Sequence, residues 1–389
     1  MRRIYFDNNS TTPVMPEVLE AMRPYFTEHF GNASSIHHHG QETRAAVERA
    51  RESVAGLLGC KGAEIVFTSG GTESDNLALF GVVKPGDHLI TSTVEHHAVL
   101  NAAKHLEERG CEVTYVPVDG QGLVDPEDVR RTIRSNTKLI SIMLANNETG
   151  VLQPLAEIGK IAAEADVYLH SDAVQAAGKI ALDVNQLGVD LLTISGHKIH
   201  GPQGVGALYV RKGTALEAQL YGGRHERSRR AGTENVAGIV GLGRAAEIAL
   251  SGLQQGGPER IGELRDRLER ELLQVEASGV NGSGVGPARV PGTANIYFEG
   301  IEGEALVIAL DLKGLAVSSG AACSSGALEP SHVLLAMGLK PEWARASIRF
   351  SLGKQNTAED VEFAVLMVRE TVSRLRELSP VWPKATASC

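Results

Sequence analysis

Between residues 62 and 210 the chain alternates short β-branched or aliphatic runs with longer helical stretches, and this alternation restricts its fold more than any other feature. The runs occupy 64–67, 87–91, 112–116, 138–143, 167–170, 190–194 and 206–210. Strands separated by helix-length segments predict an α/β fold, with a mostly parallel seven-stranded sheet lying between helices. In such sheets ligands sit beyond the carboxyl ends of strands, so the residues just after each run are where chemistry is expected.

A helical stretch over 233–250 leads into Ser251-Gly252-Leu253-Gln254-Gln255-Gly256-Gly257-Pro258, whose glycines and proline mark a boundary. A smaller α+β domain follows. It opens on a helix with Ile261, Leu264, Leu268 and Leu272 at helical spacing and closes on one with Val361, Val365, Val368, Val372 and Leu375. Strand-like runs at 293–298 and 347–350 lie between them. A length of 389 residues suits two or three domains at ~150 residues each.

Hydrophobic residues at 42% and charged residues at 22% place the chain among soluble globular proteins. The net charge of -9 gives no bulk attraction to phosphate backbones or anionic lipid, so neither nucleic acid nor membrane is expected as a partner. No stretch approaches the ~20 apolar residues of a bilayer span. The N-terminal residues reach Asp7, Asn8 and Asn9 before any signal-peptide core forms, which predicts a cytoplasmic protein. Cys60, Cys111, Cys323 and Cys389 are widely spaced and lack CxxC pairs, so free thiols are expected and no metal site.

Three segments at strand ends carry chemistry. Thr68-Ser69-Gly70-Gly71-Thr72-Glu73-Ser74-Asp75-Asn76 leads into an apolar helix, where small residues let backbone N–H groups approach an anion. An ordinary capped turn explains that segment equally well. Lys198, in Ser195-Gly196-His197-Lys198, has no acidic neighbour and is placed to lose its proton and form a Schiff base, although a lone lysine is more often a solvated charge. Asp172, in His170-Ser171-Asp172-Ala173-Val174-Gln175, puts a carboxylate at another strand end. A lysine for an aldehyde, an aspartate for a pyridinium nitrogen and a helix N-terminus for a phosphate together match the anchors of pyridoxal phosphate.

With Asp7-Asn8-Asn9-Ser10-Thr11-Thr12-Pro13, Gly31-Asn32-Ala33-Ser34-Ser35, Asn146-Asn147-Glu148-Thr149-Gly150 and Ala321-Ala322-Cys323-Ser324-Ser325-Gly326, these segments resemble the cysteine desulfurases of the NifS/IscS group. Those are fold-type-I pyridoxal phosphate enzymes of the class V aminotransferase family. The resemblance implies a large cofactor-binding domain over 15–252 and a small domain from 1–14 and 258–389, carrying a mobile cysteine loop at 318–329. It implies that Lys198 holds the cofactor and moves the Cα proton, that Asp172 pairs with the pyridine nitrogen, and that Gln175 bonds the ring hydroxyl with Asn147 near the same edge. Gly71, Thr72, Ser195 and His197 would hold the phosphate, and His96 would stack on the ring and act as acid or base. Thr233 would reach the phosphate of the other subunit in a homodimer.

Cys323 would be the sulfur acceptor, in a stretch of small residues with almost nothing to bury. Transient ligation of an iron–sulfur cluster by Cys323 stays open. Arg349, with Asn147, would take the substrate carboxylate, the alternative being a structural salt bridge. The resemblance thus implies conversion of L-cysteine to L-alanine with a persulfide on Cys323, delivered to an iron–sulfur scaffold or sulfurtransferase acceptor. A selenocysteine lyase and a non-catalytic cofactor-bound protein are the other readings. The segment 224–235 reads as a solvated basic run, and His37-His38-His39 as a solvated or helix-entry cluster rather than a metal site.

Overall fold

The computed structural model describes residues 2–282, 289–319 and 329–383. After a short first strand, β1 (Ile4–Tyr5), the main sheet is built from β2 (Ile65–Thr68), β3 (His88–Ser92), β4 (Glu112–Val116), β5 (Thr137–Ser141), β6 (Tyr168–Asp172), β7 (Leu191–Ser195) and β8 (Gly206–Val210). Their order is β2-β8-β7-β6-β5-β3-β4, and only β8 runs against the rest. The mostly parallel sheet expected from the sequence is therefore present, each strand within a residue or two of its run.

Alternation along each strand divides the core between the two faces of the sheet. Phe67, Ile90, Ile140, Leu192 and Ala207 join one apolar cluster, whereas Val66, Leu89, Leu139, Leu191 and Leu208 join another. The first is covered by the helices His38–Leu58 and Val236–Gln254, the second by Gly71–Val82 and His97–Glu108. Two of these helices approach so closely that a Cβ on Gly243 would lie 2.6 Å from the Ala50 Cα. The Val236–Gln254 helix amends one expectation, because by length and composition it could cross a bilayer. Here Ile239, Leu242, Ala245, Ala246 and Ala249 are buried in the core of the sheet's first face. It starts after Thr233, with the Asn235 side chain accepting from the Gly238 N–H.

A second layer holds the sheet β12-β13-β10-β9, made of β9 (Ser278–Val280), β10 (Thr293–Phe298), β12 (Ser318–Ser319) and β13 (Ser347–Ser351). The remaining strand, β11 (Leu315–Ala316), pairs in parallel with β1. Ile4 and Phe6 pack into the same core as Leu268, Ile296, Ile348, Val361, Val368 and Val372, so the start of the chain lies with its last third. The expected helices occur as Gly257–Leu272 and Ala358–Leu378; a left-handed Gly256 (φ 75°) makes the turn into the first.

The basic run is not simply solvated. Within it the buried Glu226 accepts from both terminal nitrogens of Arg51 at 2.7 and 2.8 Å and from the Phe67 N–H at 2.9 Å. Residues 226–228 take positive φ values of 44°, 56° and 65° to make this turn. Removing one partner of a buried pair strands the other's charge, at a cost of about 3–5 kcal/mol. Arg51→Met is therefore expected to lower stability by that amount in chemical denaturation, and adding Glu226→Leu to recover most of it. An unchanged midpoint in Arg51→Met would refute this.

Candidate active site

At the carboxyl ends of the parallel strands lies a cavity of about 210 Å³ lined by Gly71, Thr72, His96, Asn147, Asp172, Gln175, Ser195, His197, Lys198 and Arg349. Two expected site residues are not among them. Thr233 is exposed just before the Val236–Gln254 helix, and Cys323 lies outside the described residues, as does Cys389.

The turn after β2 explains one wall. Gly70 adopts φ 154°, and a Cβ on Gly71 would meet the Val174 Cγ2 at 3.0 Å, so two glycines let a helix begin against the loop that follows β6. The first N–H groups of the Gly71–Val82 helix have no intrahelical acceptor and carry the positive end of its dipole. The acid in that first turn, Glu73, is already engaged by Arg230 at 2.8 Å and the Ser69 N–H at 2.7 Å. Although partial burial opposes it, these partners hold its carboxyl below the usual carboxylate range. Ser195 and His197 close the same wall from the end of β7. Burial, with the Lys198 cation second, brings His197 down to about 4, so its ring is neutral.

Lys198 ends the 3-10 turn that follows β7, and its Nζ donates to the carbonyls of Asn9 and Ser10, each at 2.6 Å. Asp172 ends β6 and accepts the Val174 N–H at 2.9 Å. Burial raises its carboxyl, while His96, the Val174 N–H and Lys198 favour its anion. Two further buried carboxyls stand close to it. Burial drives Glu95 up to about 8, against the Met143 N–H and Ser92 hydroxyl that it accepts, and burial with the neighbouring Asp172 raises Asp75 as well. His170, 3.6 Å from Asp75, is pushed down to about 3 by burial and is neutral. Burial thus raises all three carboxyls, and of the three only Asp172 has the His96 and Lys198 charges favouring its anion.

His96 accepts the Ala98 N–H on Nδ1 at 3.1 Å, which places its proton on Nε2, and burial lowers its pKa. Arg349 on β13 makes the structural ion pair that was one of the two alternatives raised by its sequence. It pairs with Asp7 at 2.8 Å and donates to the Asn147 carbonyl at 3.0 Å, yet its buried Nε has no partner among the described residues. The other described cysteines do not suit a nucleophile: burial pushes Cys60 up to about 12 and raises Cys111. His37 caps the His38–Leu58 helix, as a helix-entry cluster should.

The family model for aminotransferase class-V matches residues 4–363. The chain belongs to the class-V aminotransferase family. A cysteine desulfurase IscS of Dictyoglomus turgidum is 50% identical over 383 residues, covering 97% of each chain. One of Methanosarcina thermophila is 50% identical over 387 residues, covering 98% of this chain and 95% of the relative. Among solved structures, a NifS-like protein superposes with a TM-score of 0.89 at 39% identity, over 96% of this chain and all of the other. The structure titled SspA in complex with cysteine gives 0.80 at 36% identity, over 91% and 99%. Within its family the chain falls in the NifS/IscS group, whose fold-type-I architecture the two layers reproduce.

The family's cofactor is pyridoxal 5′-phosphate, and the donor set fits it. A glycine-lined helix start suits its phosphate, a strand-end lysine its aldehyde and a buried carboxylate its ring nitrogen.

Proposed function

We propose that this chain is a cysteine desulfurase, converting L-cysteine to L-alanine and leaving a persulfide on Cys323 for iron–sulfur cluster or related assembly. The observation that carries the reading is the convergence of Lys198, Asp172 and the Gly71–Val82 helix start on one cavity. Relatives bearing that activity in their names support it. Bound pyridoxal phosphate supplies an electron-withdrawing ring that makes the substrate Cα proton acidic and weakens the Cβ–Sγ bond.

The chain's own residues do the rest. Gly71, Thr72, Ser195 and His197 would hold the phosphate, and Asp172 would keep the ring nitrogen protonated. His96 would sit beside the cofactor, and its protonated Nε2 would serve as a donor to the substrate. Lys198 takes the Cα proton and later returns one. Arg349, through its unpartnered Nε, and Asn147 receive the substrate carboxylate. The Cys323 thiolate attacks the substrate sulfur; an S–S bond forms, the C–S bond breaks, and protons complete alanine, so cysteine plus thiol equals alanine plus persulfide.

The working unit is a homodimer in the cytoplasm, with domains over 15–252 and over 1–14 plus 258–389. Leu19, Phe26, Phe30, Ile36 and Tyr221 are exposed apolar side chains of the kind a second copy covers, and exposed Thr233 is free to serve the partner's phosphate. A monomer in light scattering would refute the dimer.

Purified protein given pyridoxal phosphate, L-cysteine and a reducing thiol to discharge the persulfide is expected to release alanine and sulfide in equal amounts. Asp172→Asn should keep the fold and lose on the order of 100-fold or more in rate, because a neutral amide does not hold the ring nitrogen protonated. Absence of alanine from the wild type would overturn the function, and a near-normal rate in Asp172→Asn would remove that residue from it.

A further inference from the structure

One cation beside the cavity has no part in the roles described so far. Lys179 follows Gln175 by one helical turn of spacing, and its Nζ donates to the Gln175 Oε1 at 2.7 Å and to the Asn9 Oδ1 at 2.8 Å. An amine donor requires acceptors, so both amide oxygens must face it and both amide orientations are fixed. The Gln175 Nε2 then points the other way. One of its hydrogens goes to the Asn9 carbonyl at 2.9 Å, the same oxygen that takes Lys198 at 2.6 Å. Asn9 is held in turn through its Nδ2, which donates to the Asn147 carbonyl at 3.2 Å and the Thr293 hydroxyl at 2.9 Å. Asn9 and Gln175 both line the cavity.

We propose that Lys179 is a positioning residue that locks Gln175 with an N–H, rather than its oxygen, toward the ring hydroxyl of bound pyridoxal phosphate, and so stabilises that hydroxyl as an anion. The proposal rests on the cofactor reading above. A carboxamide released from Lys179 is able to rotate and offer its oxygen, which repels an anionic ring oxygen. Charge acts in the same direction. Burial, followed by the nearby Lys198 and Arg349 cations, brings Lys179 down to about 7, and an anion in the cavity would draw its proton back. The two hydrogen bonds survive either way, since a neutral amine still has two N–H donors.

The test is spectroscopic. In protein loaded with pyridoxal phosphate and without substrate, the visible band titrates with a midpoint set by how tightly a proton is held between the Lys198 nitrogen and the ring oxygen. Lys179→Met is expected to raise that midpoint by about one pH unit, because a less stabilised ring oxygen holds the proton more tightly. Lys179→Arg, which keeps charge and donors, is expected to restore most of the shift. Lys179→Gln keeps a donor without the charge, is expected to shift less, and replaces the methionine variant if that one does not fold. Gln175→Leu should raise the midpoint too, with Lys179→Met adding little on top of it, since both act through one amide.

A midpoint unchanged in Lys179→Met, or one that changes equally with and without Gln175, would overturn the proposal and leave the cofactor reading intact. So would a loss of thermal stability with no spectral change. A wild type with no pH-sensitive visible band would overturn both.

Discussion

Cys323→Ala is expected to remain yellow with pyridoxal phosphate and to respond spectrally to L-cysteine, yet to form no persulfide and almost no alanine. The argument separates two sets of atoms. Cofactor capture depends on the helix start, Asp172 and Lys198, which are intact in the variant. Sulfur abstraction needs a thiolate, and the described alternatives are poor ones: Cys60 is pushed up to about 12 and Cys111 is buried and raised. Loss of the nucleophile should cost on the order of 10³-fold or more in alanine formation. L-selenocysteine should lose less in selenide release, because a selenolate is the better leaving group; departing with its bonding electrons, it gives pyruvate and ammonia in place of alanine. Normal sulfide release from Cys323→Ala would transfer the role to Cys389 or to a thiol outside this chain.

Lys198→Ala is expected to lose turnover by a different route. The side chain is both the covalent anchor and the proton carrier, and proton transfer alone is worth about 10²–10⁴-fold. Borohydride should fix cofactor to the wild type and not to this variant. The fold should survive, since the amine stands at the cavity wall, where it donates to the carbonyls of Asn9 and Ser10 at 2.6 Å. Reductive trapping on the variant would show that another lysine holds the cofactor, and Lys179, bonded to Gln175, is the nearest candidate.

Strands and anchors were legible in the sequence because both leave local traces. β-branched runs mark β2 to β8, and glycines, a lysine and an aspartate at strand ends mark a cofactor site. Direction was less visible: the reversal of β8 follows from the short 196–205 connection, which leaves too little chain for a crossover helix after β7. Asp75 and Glu95 escaped notice because an acid in a helix turn or next to a histidine pair looks like surface; only tertiary burial turns them into neutral neighbours of Asp172. Asn9 and Lys179 were missed for a related reason. Their bonds join residues 170 apart, and no local pattern encodes that. Glu226 looked like part of a solvated charge run because its partner Arg51 lies 175 residues away.

The placement of β1 has a consequence for how the protein is made. Residues 4–12 leave the ribosome well before the last third of the chain, yet Asn8 bonds the Ser351 carbonyl, 343 positions later. At about 5–20 residues per second, the opening segment waits roughly 20–70 s for its partners to be synthesised. The same segment supplies the carbonyls that receive Lys198 and Gln175, so a nascent chain that has already folded its central sheet still lacks one side of the cavity. The complete cavity is therefore a property of the finished polypeptide. A chain stalled before β13 would present a formed sheet and the anchors at Gly71, Asp172 and Lys198, but no Arg349 and no docked opening segment, so a site with all its walls waits for the end of synthesis.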